Sequence, residues 1–262
     1  MSTLTLNVQI EQNLVQALQD AKYQLCISKK VNGKYSVVWQ SSSFAYNNVF
    51  QWTDEYEVYA TTTFQTGMQV SVSTEPIPIA LGQTATINGA GRMIGPSGPT
   101  TGTSFIVNNN WRSTHVAINQ KLSGTFKPVW VDPLDFLAPG TETLTPISAV
   151  MVFFDRDLKT SSMFVRTTTP SQEVIYNGTT VQSVAYIADP SSPHGNGIWT
   201  TMGNAKAAAL TTIPMSYSQD LGFVPLPEAY NLSTLSKLYS LSLSSATPNG
   251  DKKPIQGKQD ED

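Results

Sequence analysis

Between residues 23 and 40, apolar, β-branched and aromatic residues alternate with polar ones, and Asn32-Gly33 interrupts the series. A period of two is that of a half-buried strand, whose successive side chains point to opposite faces. Asn-Gly suits a two-residue type I′ turn, in which both central residues take positive φ. The pattern predicts a hairpin, residues 23–30 against 34–40. It recurs downstream. Lys30-Val31-Asn32-Gly33-Lys34-Tyr35-Ser36-Val37-Val38-Trp39 aligns without a gap on Lys121-Leu122-Ser123-Gly124-Thr125-Phe126-Lys127-Pro128-Val129-Trp130. Further on, Met68, Val70 and Thr74 align with Met163, Val165 and Thr169, and Gly82-Gln83-Thr84 with Gly178-Thr179-Thr180 after a small shift. The shared order of these matches points to two divergent repeats of one hairpin-initiated β unit. The competing explanation is that short strands align easily. Pro128 cannot donate to a ladder, which puts it at an edge or a bulge. Trp39 and Trp130 hold equivalent places, and large aromatics so placed anchor packing.

Other runs read as strands at 50–52, 57–60, 67–73, 84–88, 104–107, 149–154, 162–168 and 181–187. Their spacing of about 8–12 residues, with turns between, predicts an all-β antiparallel sandwich with little helix. Helical spacing is confined to Ile10, Leu14 and Leu18, and to Leu232, Leu235, Leu238 and Leu241. The expected organisation is an N-terminal segment (1–22), a first β repeat (23–88), a Gly/Pro-rich linker (89–113) and a second repeat (114–187). A β and loop extension (188–247) and a charged tail (248–262) follow. That tail holds seven of the 35 charged residues (16 basic, 19 acidic) and almost nothing apolar, the composition of a disordered end.

Charge is scarce. Of 262 residues 13% are charged and 40% hydrophobic, the formal net charge is −3, and Ser, Thr, Asn and Gln supply about a third. With no basic excess to neutralise a phosphate backbone, nucleic acid is not an expected partner. One cysteine excludes an intramolecular disulfide, and two histidines leave little for zinc, so no metal site is expected. Cys26 sits in an alternating segment as a small core residue. The N-terminus lacks a basic stretch followed by an apolar run, and nothing approaches the roughly 18 apolar residues of a spanning helix. The expectation is a cytoplasmic product, released, if at all, by a route needing no signal. The sequons at Asn177 and Asn231 carry no weight in that setting.

Catalytic chemistry finds little footing. Gly89, Gly91 and Gly95 invite comparison with a dinucleotide fingerprint, but Pro96, Gly98 and Pro99 forbid the helix whose N-terminus would hold a pyrophosphate. No cofactor is expected. Asp54-Glu55-Tyr56-Glu57 and Asp155-Arg156-Asp157 lack the spacing of a calcium loop and read as solvated turns. His115 reads as a strand-edge imidazole. There is no Gly-x-Ser-x-Gly elbow to pair with a histidine, and the chain is read as a non-enzyme.

Two features point to surfaces. Residues 59–73 carry no charge, and Phe64, Met68, Val70 and Val72 alternate there with polar residues. This is the pattern of a pore-lining amphipathic hairpin, and equally of an ordinary half-buried strand. Trp111 follows an Asn run, and Trp199 follows a Gly-rich loop that also holds His194 and Asn196. An indole so placed can stack on a sugar, sit at a lipid interface, or plug the end of a sheet. Together these residues predict a non-enzymatic binding protein for a glycan or membrane surface, lectin-like or cytolysin-like. The alternative is a self-assembling structural or storage protein, a homo-oligomer forming filaments or crystals through exposed β edges.

Overall fold

Nearly every regular element of the chain is a strand. The structure, a computed structural model, describes residues 2–191 and 197–202, and the backbone alone at 215–218 and 222–225. In chain order the first elements are β1 (Thr3–Ile10), α1 (Gln12–Asp20), β2 (Gln24–Val31), β3 (Gln40–Ser42), β4 (Asn47–Thr61) and β5 (Ile77–Ile79). Next come β6 (Thr84–Ile87), β7 (Met93–Ser97), β8 (Phe105–Asn109), β9 (His115–Leu122), β10 (Thr125–Val131) and β11 (Gly140–Leu144). The last are β12 (Pro146–Asp155), β13 (Ser171–Ile175), β14 (Val181–Ala188), β15 (Gly197–Thr201), β16 (Met215–Ser218) and β17 (Gly222–Pro225). The fold is all-β.

The largest sheet runs β10-β9-β4-β1-β14-β15, with β5 attached to β4. A second runs β11-β8-β6-β7 and a third β13-β12-β2-β3, while β16 and β17 pair with each other. Two pairings are parallel, β1 with β14 and β6 with β8, so the expected purely antiparallel arrangement gives way to mixed sheets. In the largest sheet the parallel pairing comes from β1, unread in the sequence, where Leu4, Leu6, Val8 and Ile10 turn inward on alternate positions and the strand lies between β4 and β14.

One pairing pattern occurs twice. β1 lies antiparallel to β4 and parallel to β14, and β8 lies antiparallel to β11 and parallel to β6. Past a register shift between Trp52 and Tyr56, β4 runs on to pair with β9; past Thr145, the chain of β11 runs on as β12 to pair with β2. Both hairpin turns have positive φ at two successive residues, Asn32 (49°) and Gly33 (76°), then Ser123 (48°) and Gly124 (84°). That is the type I′ conformation in each case. β10 is an edge strand, and its register shifts between Pro128 and Trp130.

Other expectations change. Residues 34–39 form no strand. They touch β2 at the Val31–Lys34 bridge and through Trp39 N–H to Ile27 O (2.8 Å), while Ser36 turns to exchange hydrogen bonds with Val131. Runs 50–52 and 57–60 merge into the single β4. Residues 89–113 are no plain linker, because β7 and β8 lie within them; Pro96 is tolerated since β7 is an edge. The acidic run 54–57 lies within β4 rather than in a turn, and each carboxylate has a partner. Asp54 accepts from Tyr56 and Gln120, Glu55 pairs with Lys121 at 2.9 Å, and Glu57 accepts from Asn119. The predicted helix around Leu14 is α1, which buries Leu14 and Val15. The leucine run 232–241 and the tail 248–262 lie outside the described residues.

Residues from all three large sheets share one main core, which includes Trp39, Trp52 and Trp130, all buried. Trp39 meets Trp52 edge to face at 5.5 Å. Each such ring removes about 150–250 Å² from water, roughly 4–6 kcal/mol at 25 cal/mol/Å². Cys26 is buried in a second cluster with Met151, Phe153 and Phe164. Burial, its largest influence, pushes the thiol up to about 12, so it is a packing residue rather than a nucleophile.

Candidate surface-binding loops

Three adjacent strands of the large sheet end together. Thr61 closes β4 opposite His115, which opens β9, and Val131 closes β10 opposite Ala117. Loops 62–76, 110–114 and 132–139 therefore leave from one end. Thr114 ties them: its hydroxyl donates to Thr61 O at 2.6 Å, and its backbone pairs with Phe136. Asn109 donates to the carbonyls of both Arg112 and Phe136 at 2.8 Å.

His115 is buried at the centre of this junction. Its Nδ1 lies 2.9 Å from Asp132 O and 3.1 Å from Leu134 O. Carbonyls only accept, so Nδ1 carries the hydrogen. Nε2 is 3.5 Å from Asp135 Oδ1, and the Phe64 ring lies 6.3 Å away, centroid to centroid. The imidazole braces loop 132–139 against loop 62–76. Glu142 on β11 adds a second brace. Burial, then a hydrogen bond and charge repulsion from Asp132, push its carboxyl up to about 9 against the opposing pull of Lys34.

Residues 67–70 do not form the expected strand. They run beside 161–163, with Gly67 N–H to Met163 O and Met163 N–H to Met68 O at 2.8 Å, and Val70 N–H to Ser161 O at 2.9 Å. Residues 162–168 are likewise no strand, meeting the rest through isolated bridges at Ser162 and Met163. The four apolar residues also split between two sides. Phe64 and Val70 lie against a third core cluster with Val37, Tyr59 and Met163, whereas Met68 and Val72 are 55% and 52% exposed. The turn from Gln65 O to Met68 N–H, with Gly67 at φ 84°, resets the alternation.

The tryptophans part company. Trp111 is half-buried at the loop end, its ring against the Gly91 turn, where a Cβ would come within 2.6 Å, and 4.0 Å from the Arg112 guanidinium. Trp199 is buried in β15, stacked on Phe154 at 5.4 Å and 16°, with its Nε1–H donating to Pro170 O at 3.0 Å. That is a packing position. His194 and Asn196 lie outside the described residues.

Two residues unread in the sequence stand out at the same end. Leu134 and Leu137 are 64% and 66% exposed, while Phe136 between them is buried. Their only signal is apolar side chains set between Pro133 and Pro139 with no strand or helix period. Among the described residues no three His, Cys, Asp or Glu side chains are grouped to hold a metal, and no helix is long and apolar enough to cross a membrane. Compared with family models, curated proteins and solved structures, the chain matches none.

Proposed function

We propose that the protein is a non-enzymatic binding protein that meets a lipid surface with this loop end. The observation that carries the reading is the set Met68, Val72, Leu134 and Leu137, each more than half exposed, on two loops braced at His115. Exposed apolar side chains on loops that leave one end of a sheet, in a chain so poor in charge, favour an apolar phase. Trp111 and Arg112 flank them, an indole suited to the interface and a guanidinium suited to a lipid phosphate. If each of the four gains about 1 kcal/mol from its exposed half, the sum is about 4 kcal/mol, roughly a millimolar affinity. Such contact is reversible and is strengthened by any second attachment.

Self-assembly through sheet edges has less in its favour. β10 carries Pro128 and a register shift, and β7 carries Pro96, both of which blunt an edge. The lipid reading is tested by sedimentation with phosphatidylcholine vesicles, with and without phosphatidylserine, at millimolar lipid. Wild-type protein sediments, and Leu134→Asp with Leu137→Asp loses about tenfold or more. Failure of the wild type to sediment with either vesicle would overturn it.

A further inference from the structure

We infer that the outward face of β1, β14, β15 and the 47–53 stretch of β4 is a second binding surface, which takes a neutral, hydroxyl-rich polysaccharide chain laid flat across the strands. It is independent of the loop end and goes beyond the lipid reading. The alternation of β1 turns Leu4, Leu6, Val8 and Ile10 into the core and leaves Thr5, Asn7 and Gln9 outward. Their neighbours on β4 and β14 are Asn47, Gln51 and Ser183. No outward position on β1, β14, β15 or the 47–53 stretch of β4 carries a charge; the charges begin past the register shift of β4, where Glu55 and Glu57 face outward and are engaged by Lys121 and Asn119.

The polar side chains are already ordered. Gln51 Nε2 donates to Thr5 Oγ1 (3.4 Å), Asn7 Nδ2 to Ser183 Oγ (3.2 Å), and Gln9 Nε2 to Asn47 Oδ1 (3.4 Å). Each bond spans neighbouring strands, so the amides form a grid of about 4.8 Å across and roughly 6.7 Å along the strands. Among the described residues, the carbonyl oxygens of Asn7, Gln9 and Gln51 accept no hydrogen bond and remain for a ligand. An amide that offers both donor and acceptor matches the vicinal hydroxyls of a sugar, and holding it in place beforehand lowers the entropy lost on binding. Tyr46, exposed beside Asn47, adds a ring against which a sugar can stack.

The face is open among the described residues: Val49 and Val181 are both more than half exposed on it. The other half of the sheet differs, since Tyr59, Ala117 and Val131 are buried there beneath Val37 and Met163. The choice of occupant follows from charge and area. A surface without charge offers nothing to a charged headgroup or a nucleic acid. Four outward positions on each of β4, β1 and β14 and two on β15, at about 32 Å² apiece, make roughly 450 Å², about half of what each partner contributes to a stable dimer. A second copy is therefore a poor fit, whereas a single extended saccharide chain is matched in width.

The test is co-sedimentation of the full chain with microcrystalline cellulose, chitin and insoluble β-1,3-glucan, in about 50 mM and about 1 M NaCl. Retention on at least one polymer, equal at both salt concentrations, is expected. The near-isosteric double variant Asn7→Asp, Gln51→Glu, with an unchanged thermal midpoint, should bind about tenfold more weakly or worse. Leu134→Asp, Leu137→Asp should bind the polymer as the wild type does, which separates this face from the lipid reading. Failure of all three polymers to retain the protein, or retention indifferent to the double variant, overturns the proposal. So does a wild-type dimer, seen by light scattering, that the double variant dissociates.

Discussion

Lys29 in β2 and Gln120 in β9 hold equivalent places, each four residues ahead of its turn glycine and each buried on the core side of its strand. Gln120 is hydrogen-bonded, its Nε2 donating to Thr53 O (3.0 Å) and Asp54 Oδ1 (3.1 Å). Among the described residues Lys29 has the charge of Asp54 to set against its burial, and burial, the larger influence, pushes the ammonium down to about 8.

That contrast predicts a pH dependence of stability. An unfolded lysine titrates near 10.4, so between about pH 8 and 10.4 the unfolded chain binds a proton that the folded chain has released. Stability therefore rises with pH across that window, and below it the burial penalty applies in full, about 3 kcal/mol. Urea unfolding of Lys29→Met should show higher stability than wild type at pH 7 and a flatter rise from pH 8 to 10.

Glu142 shifts the other way for an acid. Its folded value is raised to about 9, so the stability it contributes is complete below the ordinary carboxylate range and is lost as pH climbs toward 9. Glu142→Gln, which keeps a donor toward Asp132 without a titrating proton, should remove that part of the slope. Denaturation midpoints at pH 5 and pH 8, compared between the two proteins, measure it. Hydrogen exchange at the Leu134 amide, bonded to Asp132 Oδ1 at 2.9 Å, reports the same loosening locally.

Trp199 predicts a stability effect without a binding effect. Trp199→Ala loses the stack on Phe154, the tilted contact with Tyr186 and the bond to Pro170, and should destabilise by about 3–5 kcal/mol. Vesicle and polysaccharide binding, measured on the fraction still folded, should be unchanged.

Splitting the 64–72 stretch gives a paired test. Phe64→Ala should destabilise by about 2 kcal/mol because the ring packs on His115 and the third core cluster. Met68→Ser and Val72→Ser should move stability by less than about 0.5 kcal/mol. Thermal melts distinguish this split from a hairpin in which all four act alike.

What could be read from the sequence depended on how far apart the determinants lie. Asn32-Gly33, Ser123-Gly124 and Pro128 carry their backbone consequences within a few residues, and the turns and the edge follow from them. β1 was hidden because its alternation runs straight into the four-residue spacing of Ile10, Leu14 and Leu18, so the segment read as helix alone. Its parallel register with β14 is set by residues nearly the whole described chain away. The Gly/Pro run at 89–102 obscured β7 because those residues weaken strands generally, while an edge needs only one row of bonds. At the candidate site, the tryptophans were visible as residues, but their availability was not. Gly91 and Arg112 decide it for Trp111, and Phe154 and Pro170 for Trp199.

The parallel pairing of β1 with β14 also sets an order of events during synthesis. When β1 and β4 have left the ribosome, the edge running from Thr5 to Ile10 still waits for Val181 to Tyr186 to be translated. At about 5–20 residues per second, that wait lasts several seconds or longer. Throughout it the growing chain exposes this backbone-competent edge, and the outward side chains of β1 beside it, Thr5, Asn7 and Gln9, hold no charge to repel a neighbouring chain.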